Sequence, residues 1–486
     1  MKRAAARPVV AIIGGGFTGA ALAYRLVHGI CAGSARIILF EPRQVVGGGL
    51  AYDTDEAVHR INVPATRMSL FPGDEEHFPR WLEETGALRD DPEAVTADGR
   101  MFPRRGAFGR YVHAHLAPLV ADGSIEHRKT RVRSVTAIGQ GVNQGRWRLE
   151  ADDGSETVAD IVVVATTHPS PQAPSVLARA LAGHPRYVAD TTVPGALAVI
   201  RPDDRVLVVG AGLTAADVIA ALDAAGHRGA IAAISRRGLR SRGHAALPQE
   251  PFGDFLTQSS RTALELLRAT RRAIGEAAAQ GLSWHAVFDR LRAEGGEIWK
   301  VLPVAERCRL VRFLRPYWDV HRFRIAPQVE AVLERRLADG RLTFRSASIA
   351  GVEALDDGEI AVRLRSRQQK GVREERYDAV VVTTGPGHAG ILASQPYLAG
   401  LAADGRLRAD PVGLGIDVDG ESRAVDAGGQ PQHSLYVAGP LARGTFGELM
   451  GLPQVTEHAY FVADRVAADI RTLGEANTVA PQRQAR

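Results

Sequence analysis

One stretch near the start of the chain limits its fold more than any other: Val9-Val10-Ala11-Ile12-Ile13-Gly14-Gly15-Gly16-Phe17-Thr18-Gly19-Ala20-Ala21. An apolar, partly β-branched run leads into three glycines, and small and apolar residues follow at helical spacing. That order predicts strand, tight turn and helix. In this register Gly14 permits the turn, Gly16 lets a pyrophosphate approach the backbone, and Gly19 lets helix and strand pack closely. Phe17 and Thr18 fall in the first helical turn, whose free N–H groups and positive dipole end face the phosphates. A second apolar strand, 36–40, ends on Glu41, the place of an acid that grips an adenosine ribose. All three glycines and the acid are in step, so the unit is read as dinucleotide-binding.

The same grammar returns at Arg205-Val206-Leu207-Val208-Val209-Gly210-Ala211-Gly212-Leu213-Thr214-Ala215. Gly210 and Gly212 repeat the turn and the approach, and Ala215 stands as the packing residue. Here the next strand, 230–235, ends on Ser235-Arg236-Arg237-Gly238 with no acid. Arginines at that place accommodate a 2′-phosphate, which predicts NADPH over NADH. Each fingerprint is followed by an apolar run ending in two threonines, 160–167 and 377–384. This internal duplication predicts an α/β protein with two Rossmann-like, parallel-sheet nucleotide-binding domains. A further buried strand precedes Gly439. Residues 125–138 and 146–149 read as a small sheet. Residues 76–88, 108–119 and 448–470 read as helices, with disorder after Leu473.

The expected domains are 1–172 (first nucleotide domain, first part), 173–250 (second domain, first part) and 251–340 (a mainly helical insertion). Then come 341–386 (second domain, completion), 387–475 (first domain, second part) and a flexible tail, 476–486. The insertion carries Phe313-Leu314-Arg315-Pro316-Tyr317-Trp318-Asp319-Val320-His321-Arg322-Phe323-Arg324. Asp319 and His321 are its candidate acid–base groups, and Arg315 or Arg324 its candidate anion anchors.

The formal charge of +5 comes from scattered arginines interleaved with acids. No basic aromatic stripe accompanies them, which argues against a nucleic-acid partner. The two cysteines, Cys31 and Cys308, form no CxxC spacing, so neither a metal cluster nor a redox dithiol is expected. No stretch is apolar enough to span a membrane. Met1-Lys2-Arg3 and the apolar residues after it look like a signal peptide, but the glycine fingerprint accounts for the same residues, and a cytoplasmic location is expected. Oligomeric state is not legible.

Taken in order, Gly14–Gly19, Thr166–Thr167, Gly210–Ala215, Thr383–Gly385 and Val437–Gly439 resemble the two-dinucleotide-binding-domain flavoproteins, the superfamily of flavin monooxygenases and pyridine-nucleotide disulfide reductases. More closely, Gly49-Leu50-Ala51-Tyr52, Asn62-Val63-Pro64-Ala65, Arg315–Arg322 and Gly439-Pro440 are similar to the bacterial FAD–NAD(P)-binding family. The resemblance implies FAD on the first fingerprint and NAD(P)H on the second. It places Asn62 near the flavin ring, the Val132 backbone by the adenine, and Gly439 with the segment 443–446, Thr445 included, at the flavin's pyrimidine end. The usual Gly-Asp after the last strand is Gly439-Pro440 here, and the FxGxxxHxxxW signature of Baeyer–Villiger and related monooxygenases is missing. The expected activity is an NADPH-dependent, monooxygenase-like flavoprotein acting on a small molecule, with O2 as its oxidant. A flavin-dependent dehydrogenase or oxidase of a small amine or acid, or a flavin-binding sensor or carrier, is the alternative.

Overall fold

The computed structural model describes residues 7–29, 33–139, 145–169, 171–257, 260–367, 371–385, 387 and 390–479. Its architecture is α/β, built on two large sheets. In the first sheet the strand order is Arg423–Val425, Pro431–Val437, Ile161–Val164, Val9–Ile13, Arg36–Phe40, Ile125–Arg128. Neighbours are parallel except for the outermost pair, Arg423–Val425 with Pro431–Val437. The strands are short continuous apolar runs because both faces are covered. On one face lie the helices Phe17–His28, Arg105–Ala121 and Gln454–Val479, and on the other an antiparallel three-stranded meander and the helix Pro396–Ala403.

The second sheet has the order Val372–Tyr377, Ile360–Ser366, Leu342–Ala354, Ile231–Ser235, Val206–Val209, Ala379–Val382, Tyr187–Val188. The duplication read from the sequence is present in the topology. In each sheet the fingerprint strand lies between the strand that precedes the paired threonines and the strand that follows the fingerprint helix. Each unit also carries an antiparallel meander.

The two meanders differ at one joint. In the second unit Leu342–Ala354 is one 13-residue strand, parallel to Ile231–Ser235 at its start and antiparallel to Ile360–Ser366 beyond. In the first unit the corresponding segment breaks into Ile125–Arg128, an edge strand of the main sheet, and Val132–Ile138, a strand of the meander. Residues 125–138 are therefore not one strand of a small sheet. The Arg128 carbonyl accepts both the Glu41 and the Thr130 N–H, which turns the chain out of the main sheet there.

The last helix also departs from expectation. It begins at Gln454, after Pro453, and not at 448, because proline fits only a helix's first turn. It continues to Val479, past the expected onset of disorder, and Leu473 still packs on the core.

The insertion comprises the helices Ala263–Ala279, Trp284–Ala293, Gly295–Val301 and Val304–Arg309, a π-helical turn Leu310–Leu314, and the helix Arg315–Arg322. It has its own core, in which Phe255, Val287, Leu291, Ile298 and Leu302 are buried. A reciprocal Thr262–Glu265 capping box starts its first helix. The helix after it, Pro327–Ala338, packs on Leu213–Ala224 of the second unit, with Arg336 donating to Asp223 and to the His227 carbonyl. Among the described residues no helix is long and apolar enough to cross a membrane.

Candidate active site

The first fingerprint forms the cradle its spacing implies. Gly14 sits at φ +106°, a left-handed turn that favours glycine. A Cβ on Gly19 would stand 1.9 Å from the Gly14 carbonyl oxygen, so helix and strand touch through that position. Gly16 is the N-cap of the Phe17–His28 helix, and no side chain caps it. Its first N–H groups have no partner within the helix, the arrangement that suits an anion. The Phe17 ring packs on Phe108 with centroids 5.5 Å apart, which leaves its backbone at the cradle. Thr18 is buried against Gly439, where a Cβ would lie 2.7 Å from Thr18 Oγ1.

Glu41, only 4% exposed, ends its strand with its carboxylate turned back over the glycines. Its Oε2 accepts the Gly15 N–H at 3.0 Å and its Oε1 accepts the Arg43 N–H at 3.1 Å. Both bonds hold the side chain in place and leave further lone pairs on the carboxylate. Val132 starts its strand four residues beyond Arg128, the residue whose carbonyl accepts the Glu41 N–H. The glycines and the acid thus share the carboxyl edge of one sheet, where open α/β folds bind their ligands, and Val132 opens the meander just beyond it.

Gly439 follows the Pro431–Val437 strand at φ +75°. Its N–H donates to Nδ1 of the buried His458 at 3.0 Å, and His458 Nε2–H in turn faces Ser422 Oγ at 3.3 Å. Ser422 donates to the Val437 carbonyl at 2.6 Å. The chain of bonds fixes the neutral tautomer, and burial pushes the imidazole down to about 3. No sequence motif marks His458, which lies in an ordinary helical stretch. Its sign in stability follows directly. The unfolded chain takes up a proton near pH 6.5 and the folded chain does not, so stability is full above that pH and falls as the pH drops toward 3. At pH 5 the loss is about 2 kcal/mol. Urea unfolding at pH 7.5 and pH 5 is expected to show this drop in the natural chain, and less of it in His458→Gln, whose amide oxygen can still accept the Gly439 N–H.

The second fingerprint repeats the geometry with more room. Gly210 lies at φ +132° against Thr383, Ala215 is fully buried, and Gly212 caps the Leu213–Ala224 helix without any side-chain cap. A Cβ on Gly212 would meet nothing within 4 Å. The two arginines beyond the next strand part company. Arg236 is exposed. Arg237 donates to the Phe313 carbonyl at 2.9 Å and lies over the Tyr317 ring at 5.1 Å, joining this unit to the insertion.

Asn62 sits where the two units meet. Its Oδ1 accepts from Arg105 at 3.3 Å, Arg105 pairs with Asp217 at 2.8 Å, and the Asn62 carbonyl accepts from His244 at 2.9 Å. Asp319 and His321 both line a cavity of about 620 Å³ between the insertion and the segment after Gly439. They lie two apart on one helix and do not face each other. Asp319 Oδ2 accepts from Arg315 Nε at 3.2 Å, and burial pushes its carboxyl above the ordinary value against the pull of Arg315 and Arg443. His321 Nδ1–H donates to the Tyr317 carbonyl at 2.7 Å, so Nε2 carries the lone pair. Its ring stacks on Phe288 with centroids 4.8 Å apart, and burial lowers its pKa. Arg324 is not an open anion anchor: it pairs with Asp289 at 2.9 Å and covers Trp284. Thr445 turns its hydroxyl away to the Val418 carbonyl at 2.9 Å.

The cavity reaches the first sheet's carboxyl edge. His168, just beyond Thr166-Thr167, meets Met450 Sδ at 3.3 Å, and Met450 lines the cavity. Burial, with Arg443 and Arg315 nearby, pushes His168 down to about 4. Arg443, Glu448 and Arg322 frame this end; no motif marks Glu448, and its pairing with the buried Arg322 singles it out only in the fold. Cys308 is a free thiol donating to the Pro411 carbonyl, and Cys31 lies outside the described residues. Among the described residues no cluster of His, Cys, Asp and Glu could hold a metal.

Residues 11–169 match a family model described as FAD-NAD(P)-binding. No curated protein sequence matches the chain. Among solved structures, the ornithine hydroxylase of Pseudomonas aeruginosa superposes over 95% of this chain and 99% of its own, with a TM-score of 0.65 and 17% identity. The L-lysine 6-monooxygenase of Pseudomonas syringae covers 96% and 99%, at 0.61 and 20%. The ornithine N-hydroxylase of Kutzneria sp. 744, in a form with reduced FAD, NADP+ and L-ornithine, covers 96% and 99%, at 0.62 and 16%. Residues 11–169 are thus similar to the FAD-NAD(P)-binding family, and the chain as a whole shares its fold with these solved structures.

Proposed function

We propose that the chain is an NADPH-dependent FAD monooxygenase of a small organic molecule. The observation that carries this reading is the cavity lined by Asp319 and His321 that reaches the carboxyl edge of the first sheet, the edge that also carries one uncapped glycine cradle, with a second cradle on the other sheet. Structural neighbours named as ornithine, lysine and cadaverine monooxygenases support it.

In this reading the backbone N–H groups of Gly14, Gly16, Phe17, Thr18 and Gly19 hold the FAD pyrophosphate, Glu41 takes the ribose hydroxyls, and the Val132 backbone meets the adenine. Gly439 and the segment through Thr445 close the flavin end, with His458 holding Gly439 in place. Gly210, Gly212 and Ala215 form the NADPH cradle. When bound, FAD would supply the redox chemistry between NADPH and O2. The protein's share is to orient and to exclude water. Trp284, Phe288 and Trp318 give the cavity dry walls. Asp319 can hold a proton, His321 Nε2 can accept one, and Asn62 is held rigid by Arg105 at the meeting of the two units. A cytoplasmic setting, and O2 as co-substrate, belong to this reading.

The test is anaerobic. NADPH is expected to bleach the bound flavin, and air to restore its colour. A flavin that stays oxidised with NADPH but is reduced by a small amine or acid would replace this reading with a dehydrogenase or oxidase. Arg236 takes the 2′-phosphate, since Arg237 is already engaged by Phe313 and Tyr317. Arg236→Ala is expected to weaken NADPH binding by roughly tenfold, about 1.4 kcal/mol, and to leave NADH binding unchanged. Equal losses for both nucleotides would remove Arg236 from that role.

A further inference from the structure

The cavity's walls and its inner end have opposite chemistry. Ile274, Trp284, Phe288, Leu302 and Trp318 make the walls apolar. The inner end gathers Arg315, Asp319, Arg443 and Glu448. Its ion pairs do not use every cation. Glu448 is used by Arg322, whose Nε donates to it at 2.7 Å. Asp319 is used by Arg315. That leaves Arg443.

Arg443 is 7% exposed and lines the cavity. Its Nε is buried without a hydrogen-bond partner. Among the described residues no carboxylate lies within the 4.0 Å of an ion pair, although Arg315, Arg322 and Arg324 all have one. A buried guanidinium without a counterion is costly, and a planar fork of donors matches a carboxylate in two parallel bonds. Burial and the neighbouring Arg315 also push Arg443 down to about 10, the response expected of a cation short of a partner.

We infer that the cavity binds an apolar carboxylic acid, with its hydrocarbon or aromatic body among the tryptophans and its carboxylate on Arg443. The volume suits a ligand of drug-like size. Arg443 is the guanidinium at the inner end without an ion pair of its own, and a carboxylate would give it one. A diamine would bring more positive charge to the same place. Calling the acid a substrate rests on the monooxygenase reading; its binding does not.

The experiment uses the protein as purified, flavin oxidised, with neither NADPH nor turnover. Three probes share one apolar body: 4-biphenylacetate, 4-biphenylacetamide and 2-(4-biphenylyl)ethylamine. Calorimetric titration is expected to show the carboxylate binding at least tenfold tighter than the amide, with the amine weakest. Arg443→Gln is expected to erase the preference for the carboxylate while keeping the amide's affinity, and Arg443→Lys to restore part of it. If the amine or the amide binds the natural protein as tightly as the acid, or if none of the three binds, the inference is overturned. So it is if Arg443→Gln changes flavin retention but leaves the preference intact, because Arg443 then serves the flavin. Failure of NADPH to reduce the flavin would leave these titrations unaffected, so the two readings fail separately.

Discussion

Glu448→Gln is expected to destabilise the protein by about 3–5 kcal/mol, the usual cost of breaking a buried ion pair from one side. Glu448 is the carboxylate that Arg322 depends on, with side-chain exposures of 9% and 4%. Two further buried guanidiniums feel its charge. Arg292 donates to the Leu452 carbonyl and is pushed by burial, with Arg322 adding to it, down to about 9. Arg443 is the other. Removing this negative charge therefore strands Arg322 and makes two further buried cations costlier. The loss should also be local. The insertion meets the segment after Gly439 through Arg322 to Glu448, Arg292 to Leu452, and Trp299 Nε1–H to the Gly444 carbonyl at 2.8 Å. Limited proteolysis of Glu448→Gln is expected to cut within the insertion helices before the nucleotide folds. Replacing both members, Arg322→Met with Glu448→Met, should recover most of the stability, since an apolar pair needs no counterion. A double variant as unstable as the single one would show that shape, not charge, holds this contact.

What the sequence disclosed follows the range of the forces involved. Backbone geometry is local, so glycines at fixed spacing after an apolar strand announced both cradles, and Glu41 and Ala215 fell into step with them. The duplication was legible for the same reason: strands buried on both faces are short unbroken apolar runs, and two such runs end alike at Thr166-Thr167 and Thr383-Thr384. The cavity was legible only in part. A dense stretch of aromatics and charges, 313–324, drew attention to Asp319 and His321, but their partners come from elsewhere in the chain. Arg443 and Glu448 lie over 120 residues beyond them, and no local pattern says which arginine ends up unpaired. Arg237 shows the converse. Its position after a strand suited a phosphate, yet a cation beside an exposed aromatic ring and a free carbonyl settles on those first. The break between 128 and 132 hangs on a single backbone carbonyl shared by two donors, which side-chain periodicity does not report.

The glycines of the two fingerprints should respond differently to one added methyl group. Gly19→Ala brings a Cβ to 1.9 Å from the Gly14 carbonyl oxygen and 3.3 Å from Ile12 Cγ2. Gly14 belongs to the turn itself, so neither side can give way without moving the helix off the strand. The helix that would move is buried on one flank by Ala20, Ala21, Leu22 and Leu26. Overpacking of this kind costs about 1–3 kcal/mol, and here it also carries the helix N-terminus away from the phosphates it serves. Gly19→Ala is therefore expected both to melt earlier and to lose FAD during gel filtration. Gly212→Ala is the contrasting case. Its backbone is extended, at φ −89° and ψ −159°, and the new methyl meets no protein atom within 4 Å. The melting temperature should stay where it is. What the methyl does occupy is the space through which a pyrophosphate approaches the backbone, so NADPH affinity should fall by roughly tenfold or more, about 1.4 kcal/mol. Thermal melting and nucleotide titration of both variants separate the two roles. If Gly212→Ala bound NADPH like the natural chain, the second cradle would not be the nucleotide's seat, and the reading of the chain as a two-nucleotide enzyme would fall with it.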